Sequence, residues 1–223
     1  WNPTAGVFQD LEVGVNNLAA ASSFGPEAAL GHALRDLESE TIYLVKLGVD
    51  GSFLTPKLGS TNDWCPPSQE VFADLLTRLD AAVGYLTSNT IASELKGVFI
   101  ALGVNDSKSE DQAALYSGYA KALVQTLRNE AAIRDLTALS SRIPFVFART
   151  HSHVSGEHSS IVRTAQEELA SDDSYIGIVD LDTQALLPSS DNLDGAGQVY
   201  LGKKFVEAMI EGLSIEIRPT FAP

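Results

Sequence analysis

Four short segments of this sequence bring oxygen- and nitrogen-bearing side chains to the ends of apolar runs. They are Gly48-Val49-Asp50-Gly51-Ser52, Gly103-Val104-Asn105-Asp106-Ser107, Arg149-Thr150-His151-Ser152-His153 and Asp180-Leu181-Asp182. A fifth, Asp191-Asn192-Leu193-Asp194, stands before Gly195-Ala196-Gly197-Gln198. A serine next to a base, with oriented donors nearby, is the material of acyl transfer. Ser52 follows a glycine turn and is one candidate nucleophile, although serine in that place is commonly a turn residue. His151, His153 and His158 cluster in one loop and could hold a metal or supply a base. They have no paired carboxylate motif, solvated loop histidines are the simpler reading, and no metal or other cofactor is expected. Asp180 and Asp182 end a strand-like run, where carboxylates usually cap the next turn. Asn105-Asp106-Ser107 also fits a glycosylation sequon.

The elements that must position these residues alternate between strand and helix patterns. Thr41–Leu47, Gly97–Leu102, Ile143–Ala148 and Tyr175–Val179 read as four short strands. Helical patterns lie between them. Gly25–Leu37 opens with Pro26 in a first-turn position, and Ser68–Leu86 repeats Val71, Phe72, Leu75, Leu76, Leu79 and Val83 on one face. A third helix starts at Ser109 with a capping box closed by Gln112, and its apolar face runs through Tyr116, Ala120, Leu123, Val124 and Leu127. Two more span roughly Ser160–Leu169 and Gly197–Leu213. Strands this continuously apolar are buried on both faces, which predicts an α/β fold: a three-layer sandwich with a parallel, flavodoxin-like sheet. In such a sheet ligands sit at the carboxyl ends of the strands, where the polar segments fall. The stretch before Gly25 and that from Thr55 to Pro67 read as long loops.

Composition narrows the partners. The 223 residues, 44% hydrophobic, suffice for one domain with an ordinary core. A net charge of −14 argues against nucleic acid or an anionic membrane surface, which are held by clustered Lys and Arg. One cysteine, Cys65, permits neither an internal disulfide nor a thiolate cluster. No apolar run is long enough to cross a bilayer. The chain opens on Trp1, so a processed N-terminus or a piece of something longer is expected.

Gly103-Val104-Asn105-Asp106 after a strand, with Asp191 shortly before Gly195-Ala196-Gly197-Gln198 at the start of the last helix, resembles the SGNH/GDSL hydrolase family. Within it the chain is most similar to the sialate O-acetylesterase and acetylxylan esterase branch. Phe24-Gly25-Pro26-Glu27, Lys46, Trp64, Arg163 with Gln166, and Leu201-Gly202 add to the likeness, which spans nearly the whole chain. The resemblance implies a serine esterase that removes acetyl groups from sugar hydroxyls without a metal. Carried over by position, it makes Gly51 and Asn105 the oxyanion donors and Asp191 the aspartate of an Asp-x-x-His motif. An acetylated glycan is then the expected partner. On this reading the sequon is secondary, and Trp64 and Tyr200 are candidates to stack on a sugar face or to cover the core.

Two parts of the family pattern fail. Asp194 stands where the histidine is expected, and the Gly-Ala-Gly-Gln run arrives early, as though a histidine and a neighbour were deleted. A carboxylate with a pKa near ~3.9 is a feeble base toward a serine hydroxyl. The block with the nucleophilic serine, at the end of a first strand, is also missing. In the resembling fold that strand lies between Thr41–Leu47 and Gly97–Leu102, and its loss would leave buried backbone groups costing about 1–3 kcal/mol each. A segment upstream of Trp1, a neighbouring chain that donates a strand, or a rewired sheet would fill the gap. Ser214-Ile215-Glu216-Ile217-Arg218 alternates like a strand and is one conceivable donor. The expectation is an esterase-like domain with negligible activity, used for carbohydrate binding or for an extracellular or viral assembly. The alternative is an active esterase whose serine lies upstream.

Overall fold

A computed structural model describes residues 1–11, 24–66, 70–137 and 140–211. Three strands, β1 (Val98–Ile100), β2 (Phe145–Ala148) and β3 (Ile176–Val179), form a parallel sheet in that order. Val98 pairs with Phe145 and Phe145 with Ile176. Among the described residues five α-helices flank it: α1 (Glu27–Arg35), α2 (Val71–Ser88), α3 (Glu110–Ile133), α4 (Ser159–Asp172) and α5 (Gly195–Glu211).

Period-two alternation on β2 sorts the two helix layers. Phe145 and Phe147 join a core with Val71 and Phe72 of α2, Tyr116, Leu123 and Leu127 of α3, and Val162 of α4. Val146 and Ala148 face the other way, onto Leu30 and Leu34 of α1 and Leu201 and Phe205 of α5. Phe145, Val146 and Phe147 are wholly buried, and each such side chain contributes about 1.5–3 kcal/mol by leaving water. The expected sandwich of helices around a parallel sheet is therefore present. The close approach of α1 and α5 depends on Gly202, because a Cβ there would lie 2.3 Å from the Pro26 carbonyl oxygen and 2.7 Å from the Leu30 nitrogen.

The four-strand expectation requires a correction. Thr41–Leu47 forms no ladder, and the described sheet has three strands. The segment still distributes its side chains as a strand would: Ile42 and Leu44 pack on the α1–α5 core, while Leu47 and the following Val49 pack on the α2–α3 core. Apolar patterning thus places the segment between the layers, but a strand also needs a neighbouring backbone for its N–H and C=O groups. Among the described residues no strand pairs with it or with the outer edge of β1. The Leu44 carbonyl instead accepts a hydrogen bond from the Trp1 amino group at 2.7 Å. Phe8 stacks edge-on against Tyr43 and Trp1, with centroids 4.8 and 5.3 Å away.

Helix starts and ends shift by small amounts from the sequence reading. Ser109 is the N-cap residue of α3, but its side chain makes no capping bond, and the Gln112 amide nitrogen is buried without a partner. The expected capping box is therefore not formed. Ser214–Arg218 lies outside the described residues.

Candidate active site

The exits of β1 and β2 are held by one buried polar network. Tyr116 Oη and Gln166 Nε2 both donate to the Leu102 carbonyl, at 2.9 and 3.1 Å, and Gln166 Oε1 accepts from the Thr150 backbone at 2.9 Å. Gly103 turns the chain just beyond, with φ +129°. A side chain there would be strained and would meet Thr150 Oγ1 at 2.7 Å and Val162 at 2.8 Å.

From that turn the chain enters a single 3-10 turn, Asp106–Lys108. Asp106 points inward and is fully buried. Its carboxylate accepts from the Leu54 amide at 3.0 Å, the Thr55 amide at 2.9 Å and the Thr55 hydroxyl at 2.7 Å. Burial raises this carboxyl above its ordinary range, and those donors counter the effect only in part. Asn105 points the other way and donates from Nδ2 to the Ser52 carbonyl at 3.0 Å. Two adjacent residues thereby clamp the loop after Thr41–Leu47 onto the loop after β1.

Gly51, Ser52, Asn105, Lys108, Asp191 and Gln198 line one cavity of ≈ 1490 Å³. Thr41–Leu44 and Gly48–Val49 contribute to its wall as well, as do Ala101–Val104. The three residues assigned by resemblance, Gly51, Asn105 and Asp191, are thus brought to one cleft from three distant stretches of sequence. Gly51 makes its turn with φ +68°. Asp191 Oδ1 accepts from the Ser155 amide and Oδ2 from the Ser155 hydroxyl, each at 2.7 Å, and Lys108 Nζ lies 3.2 Å from Oδ2. Burial alone would push the Asp191 carboxyl up. The Ser155 donors and the Lys108 ammonium more than offset this, leaving it below the usual carboxylate range.

All four histidines of the chain lie elsewhere. His32 is on α1. His151 is buried, its Nε2 against the Gln184 carbonyl at 3.1 Å and its Nδ1 accepting from the His153 amide at 3.0 Å. With Nδ1 accepting in that pairing, Nε2 is the nitrogen that donates to the Gln184 carbonyl. His158 caps α4 through its backbone. No group of metal-ligating side chains forms among the described residues. Asp194, at the place of the expected histidine, accepts from the Gly197 amide at 2.7 Å and is the N-terminal cap of α5.

Other sequence candidates have structural work. Ser52 is buried, and its hydroxyl accepts the Trp64 indole N–H at 3.0 Å. Trp64 belongs to the core rather than to a sugar platform. Tyr200 packs partly buried against the α1–α5 core, with Lys204 over its ring. Asp180 pairs with Arg149. Asp182 receives both Arg163 nitrogens, at 2.9 and 2.7 Å, and the Ser152 amide at 2.8 Å. Sequence reasoning missed Lys108 and Ser155. The spacing of Lys108 from Asn105 was a usable signal, since side chains three apart eclipse in a 3-10 turn. Ser155 had none, because its partner is thirty-six positions away.

A three-stranded parallel sheet between two helix layers is an α/β sandwich of the SGNH kind. The family model described as carbohydrate esterase, sialic acid-specific acetylesterase, matches residues 7–211, and the chain belongs to that family. It is also similar in fold to a protein from Arabidopsis thaliana solved by X-ray at 1.6 Å resolution. The two are 20% identical with a TM-score of 0.67, over 89% of this chain and 72% of that one. No curated protein matches the sequence.

Proposed function

We propose that this acetylesterase-type domain recognises acetylated carbohydrate in the cleft of Gly51, Asn105 and Asp191, and that residues 1–223 by themselves hydrolyse it negligibly. The observation that carries this reading is the environment of Asp191. Its carboxylate is engaged by Ser155 and Lys108 where a triad aspartate orients an imidazole. Asp194 is engaged too, as a helix cap. The resemblance makes Asn105 Nδ2 and the Gly51 amide the donors to an acetyl carbonyl, and an ester oxygen is a weak, neutral acceptor that such donors hold without a base. The test pairs saturation-transfer NMR with acetate release, using a mono-O-acetylated methyl xyloside and its deacetylated parent. Binding of the acetylated form with little acetate release supports the reading. Rapid multiple turnover by residues 1–223 would overturn it.

The cavity beside Thr41–Leu47 favours a second reading, an active serine esterase whose central strand and nucleophile precede Trp1. A strand running parallel to β1 in that space would end beside Gly51 and Asn105, where chemistry occurs in sheets of this type. A strand donated by a neighbouring chain fits the same space. The intact mass of the native polypeptide, set against 23.8 kDa, separates the two. A larger mass accompanied by acetate release supports the active enzyme, and a matching mass favours donation or a binding role.

A further inference from the structure

We infer that Lys108 is a positioning residue for the cleft, its ammonium fixing which end of the Asn105 amide faces the ligand and tying that amide to Asp191. The inference deepens the carbohydrate-binding reading and rests on it for the ligand. An asparagine amide has two ends of nearly equal shape and opposite hydrogen-bonding character, and its surroundings decide which end points where. Lys108 Nζ is a donor only. It lies 3.1 Å from Asn105 Oδ1, so the carbonyl end must face the lysine. Nδ2 is then directed at the Ser52 carbonyl, 3.0 Å away, where it spends one of its two N–H groups. The second N–H is left for an oxygen in the cleft.

Local geometry makes the arrangement rigid. Asn105 and Lys108 stand at the start and end of the same 3-10 turn, closed by the Lys108 amide donating to the Asn105 carbonyl at 3.1 Å. Their side chains therefore project on the same side. Asp191 closes the third side: its Oδ2 is 3.2 Å from Lys108 Nζ and also accepts the Ser155 hydroxyl. The chain Ser155–Asp191–Lys108–Asn105–Ser52 thus links three loops through alternating acceptors and donors. Lys108 is its only cation. Without it, the Asn105 amide keeps the Ser52 carbonyl as its one orienting partner and is held less firmly with Nδ2 toward the cleft. Asp191 would lose its counter-charge in the same step.

The test compares Lys108→Met, which keeps the stem and removes the charge, with Lys108→Arg, which keeps the donors. A ligand-free measurement comes first. In the wild-type protein, NMR should detect a through-hydrogen-bond coupling between Asn105 Nδ2 and the Ser52 carbonyl carbon. Met is expected to weaken it and to raise the pH at which the Asp191 carboxyl titrates, and Arg to keep both near wild type. For the mono-O-acetylated xyloside, Met should weaken binding about tenfold, the equivalent of one oriented hydrogen bond, while Arg restores it. An unchanged coupling and Asp191 titration in Lys108→Met would overturn the inference whether or not the sugar binds. Failure of the wild type to bind the sugar, with the NMR effects present, would instead overturn the carbohydrate reading alone.

Discussion

Replacing Asp106 by alanine should unfold the site loop before it unfolds anything else, and the size of the effect follows from the bonds lost. The Asp106 carboxylate is the acceptor for three buried donors, the Leu54 and Thr55 amides and the Thr55 hydroxyl, at 2.7 to 3.1 Å. Leu54 and Thr55 are themselves fully buried. Each donor left without an acceptor costs about 1–3 kcal/mol, or roughly 3–6 kcal/mol together once water reaching part of the vacated space is allowed for. That is a large share of the ~5–15 kcal/mol that separates folded from unfolded domains. Asp106→Asn should cost less. It keeps one acceptor oxygen and removes a buried charge, but it sets an N–H group against the Leu54 amide, a clash of about 1–3 kcal/mol. Burial raises the Asp106 carboxyl above its ordinary range, so ionising it costs the folded state. Its contribution is therefore greatest below the ordinary carboxylate value and declines as pH rises through the raised one, and the gap between wild type and the Asn variant should narrow across that window. Urea unfolding, followed by Trp64 fluorescence and by far-ultraviolet circular dichroism, measures both. A loss below about 1 kcal/mol in Asp106→Ala would refute the claim that this side chain holds the loop.

The remaining expectations are shorter. Arg163→Met should lower stability at neutral pH by about 2 kcal/mol, since it removes a two-point charged contact to a partly buried carboxylate. The Arg163 contact, with Ser152, holds Asp182 far below the ordinary carboxylate range against the opposing effect of burial. The wild-type advantage is thus fully present above the ordinary value and should vanish as pH falls through the depressed one, as read from unfolding midpoints across an acid series. Gly202→Ala should cost about 1–3 kcal/mol by forcing α1 and α5 apart, because its new methyl would meet Pro26 and Leu30 backbone atoms; a thermal melt unchanged from wild type would contradict that packing. Ser52→Ala should shift Trp64 emission and cost about 1–2 kcal/mol by leaving the buried indole N–H unpaired, a result expected of an anchoring serine and not of a nucleophile.

The helix and strand order was legible because each element carries its own period. The Tyr116-Ala120-Leu123-Val124-Leu127 stripe faces the core as its spacing requires. The runs at Phe145–Ala148 and Ile176–Val179 are too apolar for anything but buried parallel strands. Thr41–Leu47 carries an equally good strand pattern and is not in a ladder, because alternation states which side chains are buried but not whether another backbone lies alongside. The capping box at Ser109 failed for a related reason: the motif offers a bond, and a buried Gln112 did not take it.

The sequence by itself determined the class of fold, the family and the identity of three residues that meet in the cleft, since these depend on local period and on short motifs. Only the tertiary structure decided who holds them. Asp191 is engaged by a serine from the loop before α4 and a lysine from the loop after β1. Asp194 becomes a cap and Ser52 a tryptophan's acceptor. Each of those roles is a choice among hydrogen-bond partners far apart in sequence, and a side chain's partner is set only when folding has removed water and left one acceptor within reach.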